Sequence, residues 1–195
     1  MRYSHQGPSS ESSFELDALE RRSLLRAARE AIAARLAGRG ASPPPLEGSL
    51  GAPRGVFVTL RRAGDGELRG CIGQMESDAP LLLTVMRMAT AAATRDGRFD
   101  PVTAGELGSL RIEISVLSPL EPIRPSDIQV GRHGLLLRQG ARSGVLLPQV
   151  PVEHGWNREA FLAHTCLKAG LPPDAWKQPG AELLGFEAIV FGEDD

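Results

Sequence analysis

At 195 residues, 42% of them hydrophobic, the chain has the length of one domain and enough apolar material for a core that needs no covalent staples. Its 22 Lys and Arg against 24 Asp and Glu give a net charge of -2, so no surplus positive field grips a phosphate backbone and no nucleic-acid partner is expected. The two cysteines, Cys71 and Cys166, match neither a disulfide framework nor a zinc spacing and suit a reducing, cytoplasmic setting, while no uninterrupted apolar stretch predicts a signal peptide or membrane span.

Residues 1–15 read as a Ser-rich lead expected to be disordered, and residues 16–193 as a single domain. Leu16, Leu19, Leu24, Leu25, Ala28, Ile32 and Leu36 recur at helical spacing, with Ser12 and Glu15 offering a capping box. Gly38 and Gly40 end this helix, and the Pro-rich run 41–53 predicts an extended surface linker. The stretch from Gly55 to Leu60 is β-branched and aromatic, and Gly64-Asp65-Gly66 separates it from residues 67–73, which predicts a hairpin. Asp78 and Pro80 open a second helix to about Thr94, with Leu81, Leu82, Val85, Met88, Ala89 and Ala92 on its apolar face.

A loop follows from Arg95 to Thr103, then a short helix with Glu106 as the capping partner of Thr103, then an alternating strand from Leu110 to Leu117. Beyond Pro119, Pro122 and Pro125, the apolar triplets 135–137 and 145–147 flank residues 140–144 as a second hairpin. Asn157 caps a helix through Ala169, Gly170 and Pro172-Pro173 stop it, and Leu183 to Phe191 is expected as one last strand. Hairpins and helices in separate blocks make the fold class α+β, with mostly antiparallel sheet and flanking helices.

Chemistry concentrates in Leu68-Arg69-Gly70-Cys71-Ile72-Gly73. Strand alternation turns Leu68 and Ile72 to the core and Arg69 and Cys71 to the other face, and a guanidinium beside a thiol favours the nucleophilic thiolate. Gly70 and Gly73 leave room for a second backbone or a ligand. The alternative reading makes Cys71 a small packing residue in a glycine-softened strand. A base for the thiol would come from His133 or His154, although His133 also suits the turn before Gly134; His164, between Phe161 and Lys168 on its helix, is expected on the solvated surface. The loop from Arg95 to Pro101 offers Arg98 and Phe99 to an anionic ligand, or forms a salt-bridged corner. No metal site and no cofactor are expected.

These segments, together with Ile112 to Pro119, Val130 to Leu135, Leu146 to Val150, His154-Gly155-Trp156 and Lys168 to Trp176, resemble the AMMECR family in order and spacing, from about Leu16 to Glu193. The family is named for the human AMME-syndrome chromosomal region, and its microbial members are called AmmeMemoRadiSam system protein A. The resemblance implies two lobes with a cleft between them, the block at Cys71 near that cleft, and a Memo-type protein and a radical SAM enzyme as partners. The family loop reads Asp-Pro-Arg-Phe; here Gly97 takes the proline position, while Arg98 and Phe99 are kept. Three functions follow as alternatives: an enzyme component using Cys71 with Arg69 and Arg98, a non-catalytic adaptor, or a sensor of a small anionic ligand in the same cleft.

Overall fold

The structure is a computed structural model and describes residues 15–194, so the expected disordered lead and Ser12 lie almost wholly outside the described residues. Helix α1 spans Ala18–Leu36 and opens with Asp17, whose carboxylate accepts from the Leu19 and Glu20 peptide N–H groups while the Glu20 side chain returns to the Asp17 N–H. The capping box is therefore Asp17 with Glu20 rather than Ser12 with Glu15. Leu24, Leu25, Ala28 and Ile32 are buried as expected, but Leu19 is 66% exposed, because the inward stripe begins one turn later. Residues 41–47 form no helix or strand and are mostly exposed, whereas the end of the expected linker is anchored: a 3₁₀ turn at Gly48–Gly51 buries Leu50, and Pro53 pairs with Pro80.

The first sheet has the order β2-β1-β3-β8, with β1 Val56–Arg62, β2 Leu68–Gln74, β3 Leu110–Leu117 and β8 Ala188–Gly192, all antiparallel. Alternation makes it amphipathic. Val56, Val58 and Leu60 of β1 and Ile112, Ile114 and Val116 of β3 are buried in one cluster with α1 and with α2, Leu81–Thr94. Each such side chain contributes about 1.5–3 kcal/mol of burial. The other face carries Phe57, Thr59, Glu113 and Ser115. Helix α2 has Pro80 as its N-cap and no side-chain cap bond, so Asp78 does not cap it as expected; in the turn before it, Ser77 Oγ accepts the Ala79 N–H and meets Thr84 Oγ1 at 2.8 Å. Met86 and Met88 pack in the core.

The second sheet has the order β4-β7-β5-β6, from β4 Glu121–Pro122, β5 Gly134–Gln139, β6 Arg142–Leu146 and β7 Ala181–Phe186. After the short α3, Gln149–Glu153, helix α4, Arg158–Lys168, lies over β5 and β6. Its N-cap is Asn157, which accepts the Ala160 N–H at 2.9 Å as expected. Leu135, Phe161 and Leu162 form one core here and Leu137, Cys166 and Ala175 another. The expected single last strand is two, β7 and β8, which share only Glu187 between them and belong to different sheets. The chain thus passes between sheets twice, after β3 and at Glu187, and the passages hold each other: the Ser118 N–H donates to the Glu187 carbonyl and the Glu187 N–H to Ser118 Oγ, both at 2.9 Å.

The short helix expected at Thr103 is a turn followed by a 3₁₀ turn, Leu107–Ser109. Antiparallel pairing and separate helices establish the α+β class.

Candidate functional site

Strand β2 is the edge of the first sheet, so alternate peptide groups face away from β1 and need partners. At Cys71 those partners are side chains: its N–H donates to Asp96 Oδ2 at 2.8 Å, and its carbonyl accepts from Arg98 Nη2 at 3.3 Å. Asp96 and Arg98 occupy the place of a further strand. Because both peptide groups of Cys71 turn outward, its pairing with Thr59 is the closely spaced, non-hydrogen-bonded kind that brings side chains together. The Thr59 hydroxyl accordingly donates to Cys71 Sγ at 3.4 Å, and the thiol is half-buried.

The Asp96 carboxylate is 5% exposed and accepts Arg98 Nε at 2.9 Å and Nη2 at 2.7 Å, although the Arg98 side chain is itself 57% exposed. The Arg98 guanidinium, helped by the Cys71 and Arg98 peptide N–H groups, holds the Asp96 carboxyl well below the usual carboxylate range against the upward push of burial. Arg98 is raised in turn, chiefly by its bond to Asp96. Its Nη1 has no hydrogen-bond partner among the described residues and points a charged donor outward from the group. The Phe99 ring lies 5.5 Å from the guanidinium carbon.

Arg69 does different work. Its side chain is 9% exposed, with Nε 3.1 Å from Glu106 Oε1 and Nη1 2.9 Å from the Asp100 carbonyl. The Thr103 peptide N–H, then Arg69 and the Thr103 hydroxyl, draw the Glu106 carboxyl below its ordinary value. Arg69 therefore fastens the loop that carries Asp96 and Arg98 to the strand that carries Cys71. The two glycines of the block are used for packing: a Cβ on Gly70 would stand 2.3 Å from the Ala92 carbonyl oxygen of α2, and one on Gly73 would stand 2.2 Å from the Phe57 ring.

A family model described as AMMECR1 matches residues 25–191. The chain belongs to the AMMECR1 family. It is 49% identical over 181 residues to Protein MK0488 of Methanopyrus kandleri, covering 88% of this chain and 87% of that one. Protein MJ0810 of Methanocaldococcus jannaschii is 49% identical over 147 residues, 72% of this chain and 73% of that one. The crystal structure of the uncharacterized protein PH0010 from Pyrococcus horikoshii superposes with a TM-score of 0.78 at 44% identity, covering 88% of this chain and 90% of that one.

In this AMMECR1 chain Cys71, Arg69, Arg98 and Phe99 come together, and the histidines lie elsewhere. His133 Nδ1 accepts the Gln129 N–H at 3.1 Å, which leaves the proton of the neutral ring on Nε2. His154 is exposed and stacks on Trp156 at 4.6 Å between ring centroids, and Trp156 stacks on His164 at 3.8 Å. His164 is thereby half-buried instead of solvated. No hydrogen bond, ion pair or ring contact joins these histidines to Cys71, Arg69 or Arg98 among the described residues. Sequence reasoning passed over Thr59 and Glu113 and met Asp96 only within the loop read as an anion site or a salt-bridged corner, a corner that Asp96 and Arg98 do form. Thr59 pairs with both Cys71 and Glu113, which makes a row across three strands, and the half-buried Glu113 carboxylate has no hydrogen-bond or ion-pair partner among the described residues. Alternation along β1 and β3 already put Thr59 and Glu113 on the outward face; a row of thiol, hydroxyl and carboxylate beside a guanidinium can hold an anionic or carbonyl oxygen against the sulfur and move a proton.

Proposed function

We propose that this AMMECR1 chain is a component of a Memo- and radical-SAM-associated enzymatic system, with Cys71 as nucleophile or proton donor and Arg98 as the group that holds a small anionic substrate. The observation that carries the reading is the fixed outward placement of Cys71: Asp96 and Arg98 hold its two peptide groups, Thr59 donates to its sulfur, and Arg98 Nη1 remains available for a ligand. Arg69 acts as a positioning residue through Glu106 and Asp100. For the base we favour Glu113 over His133 and His154, whose rings are engaged with Gln129 and Trp156. Two strand spacings, about 10 Å, separate the Cys71 and Glu113 backbones, a span bridged by their side chains with a substrate between them.

The ligand would occupy a cleft between the two sheets, which the Arg138 to Glu76 ion pair at 3.0 Å links near the end of β2. Kinship alone supports the Memo-type and radical SAM partners.

An adaptor role is the second reading, favoured by the consumption of Arg69, Gly70 and Gly73 in internal packing. One reconstitution separates the two. Co-purify the chain with a Memo-type protein and a radical SAM enzyme, and compare Cys71→Ser and Arg98→Ala variants for complex and for product. Retained complex with product formation reduced by about a hundredfold or more is the expected result; unchanged product formation overturns the catalytic reading, and loss of complex from a folded variant favours the adaptor.

A further inference from the structure

Four arginines line one groove on the helical layer, away from the Cys71 row: Arg35 and Arg39 at and beyond the end of α1, Arg87 on α2, and Arg95 just past it. The groove encloses about 290 Å³, its floor includes Ala31 and Met86, and no acidic residue lines it. Such a concentration of one sign is unexpected on a chain whose net charge is -2. Elsewhere most arginines are matched, as in Arg29 with Glu193, Arg124 with Asp127 and Arg132 with Glu187. Here the guanidinium groups of Arg35, Arg39 and Arg95 have no hydrogen-bond or ion-pair partner among the described residues, and that of Arg87 makes one bond, to Gln74 Oε1 at 2.9 Å.

Helix dipoles explain only part of this. Arg35 sits in the last turn of α1 and Arg95 is the C-cap of α2, where a cation offsets about half a negative charge at each helix end. Arg87 in mid-helix and Arg39 beyond α1 answer no such need. Four positive charges set against two half-charges leave a strong surplus, which is stable in the free protein only because water and salt screen it. Guanidinium groups bind phosphate oxygens in pairs of parallel N–H bonds, so several of them around a short groove match a chain of linked phosphoryl groups better than a single one.

We propose that this groove is a binding site for a small oligophosphate ligand, with its phosphoryl chain on the four guanidiniums and its apolar remainder on Ala31 and Met86. The groove is open to solvent and, at about 290 Å³, has the volume of a small-molecule site at the low end of ligand sites, which favours such a ligand over a polymer backbone. The site stands independently of any activity at Cys71.

Calorimetric titration of the full chain with inorganic tripolyphosphate, at low and at raised salt, tests it. Tripolyphosphate is expected to bind about tenfold or more tightly than orthophosphate, with affinity falling as salt rises. Arg35→Ala/Arg87→Ala is expected to weaken it by at least about tenfold with unchanged circular dichroism, since all of these side chains are exposed. Arg22→Ala/Arg26→Ala removes the same charge from α1 at a point about 13 Å or more from Arg35, beyond one Debye length at ordinary salt, and is expected to cost less than about threefold. Equal losses in the two double variants would reduce the attraction to a diffuse field and overturn the site. Binding to phosphatidylserine vesicles or single-stranded DNA without uptake of tripolyphosphate would also overturn it, in favour of a membrane or nucleic-acid surface.

Discussion

The two thiols of this chain live in opposite surroundings. Cys166 on α4 is fully buried among Leu137, Ala169, Leu171 and Ala175, and burial pushes its thiol up by more than the nearby Trp176 and Ala175 peptide groups pull it down. Cys71 sits on a sheet edge beside a hydroxyl, a guanidinium and a carboxylate, partly open to solvent. One residue type thus serves as packing in the second sheet and as a positioned polar group in the first. Burial alone does not separate these roles; the identity of the groups holding the peptide does.

Breaking the frame around Cys71 should have the largest effect. Gly70→Ala drives a Cβ against the Ala92 carbonyl, which belongs to helix backbone and cannot move aside, so a loss of about 3 kcal/mol is expected in urea unfolding. Asp96→Ala strands the Cys71 N–H and frees Arg98, for an expected loss of about 2–3 kcal/mol. A sharper contrast comes from the cysteines themselves: Cys166→Ser puts a hydroxyl into an apolar core and should cost about 2 kcal/mol, whereas Cys71→Ser should stay within about 0.5 kcal/mol. Equal costs would erase the distinction between the two sites.

The smallest effect is on the acid side. Asp96 and Glu106 are both held below their ordinary values in the folded chain, so the stability they contribute is complete above the carboxylate range and is lost as pH falls through the depressed folded values. Urea midpoints should therefore decline from about pH 5 downward. Asp96→Asn should flatten that decline; an unchanged acid limb would mean that the Asp96 pair contributes nothing to it.

Much of the fold was legible because neighbouring residues carry it. Alternation and Gly64-Asp65-Gly66 located the β1–β2 hairpin, alternation alone bounded β3, and Asn157 marked the start of α4. Where two local signals compete, legibility fails. Ser12 with Glu15 and Asp17 with Glu20 are both capping patterns, and only packing of the stripe at Leu24 and Leu25 decides between them. Residues 183–191 look like one strand because a single Glu187 interrupts them, and the change of sheet is fixed by its pairing with Ser118. At the site, alternation set Ile72 toward the core and Cys71 beside Thr59, but a bulge between Gly70 and Leu68 breaks it at Arg69 and leaves Leu68 opposite the exposed Arg61 instead of facing the core as expected. The bonds from Cys71 to Asp96 and from Arg69 to Glu106 cross 25 and 37 positions, and no local pattern encodes such partners.

Native-state alkylation, mapped by mass spectrometry, tests the central claim most directly, with neutral iodoacetamide and anionic iodoacetate compared on the wild type and on Arg98→Ala. Arg98 bonds the Cys71 carbonyl, and a unit positive charge attracts an anionic reagent roughly 6 Å away by roughly 0.7 kcal/mol in water, about a threefold rate advantage. Cys71 should react before unfolding and Cys166 only after it, and the advantage of iodoacetate at Cys71 should vanish in Arg98→Ala. A Cys71 as protected as Cys166, or a reagent preference indifferent to Arg98, would contradict the account.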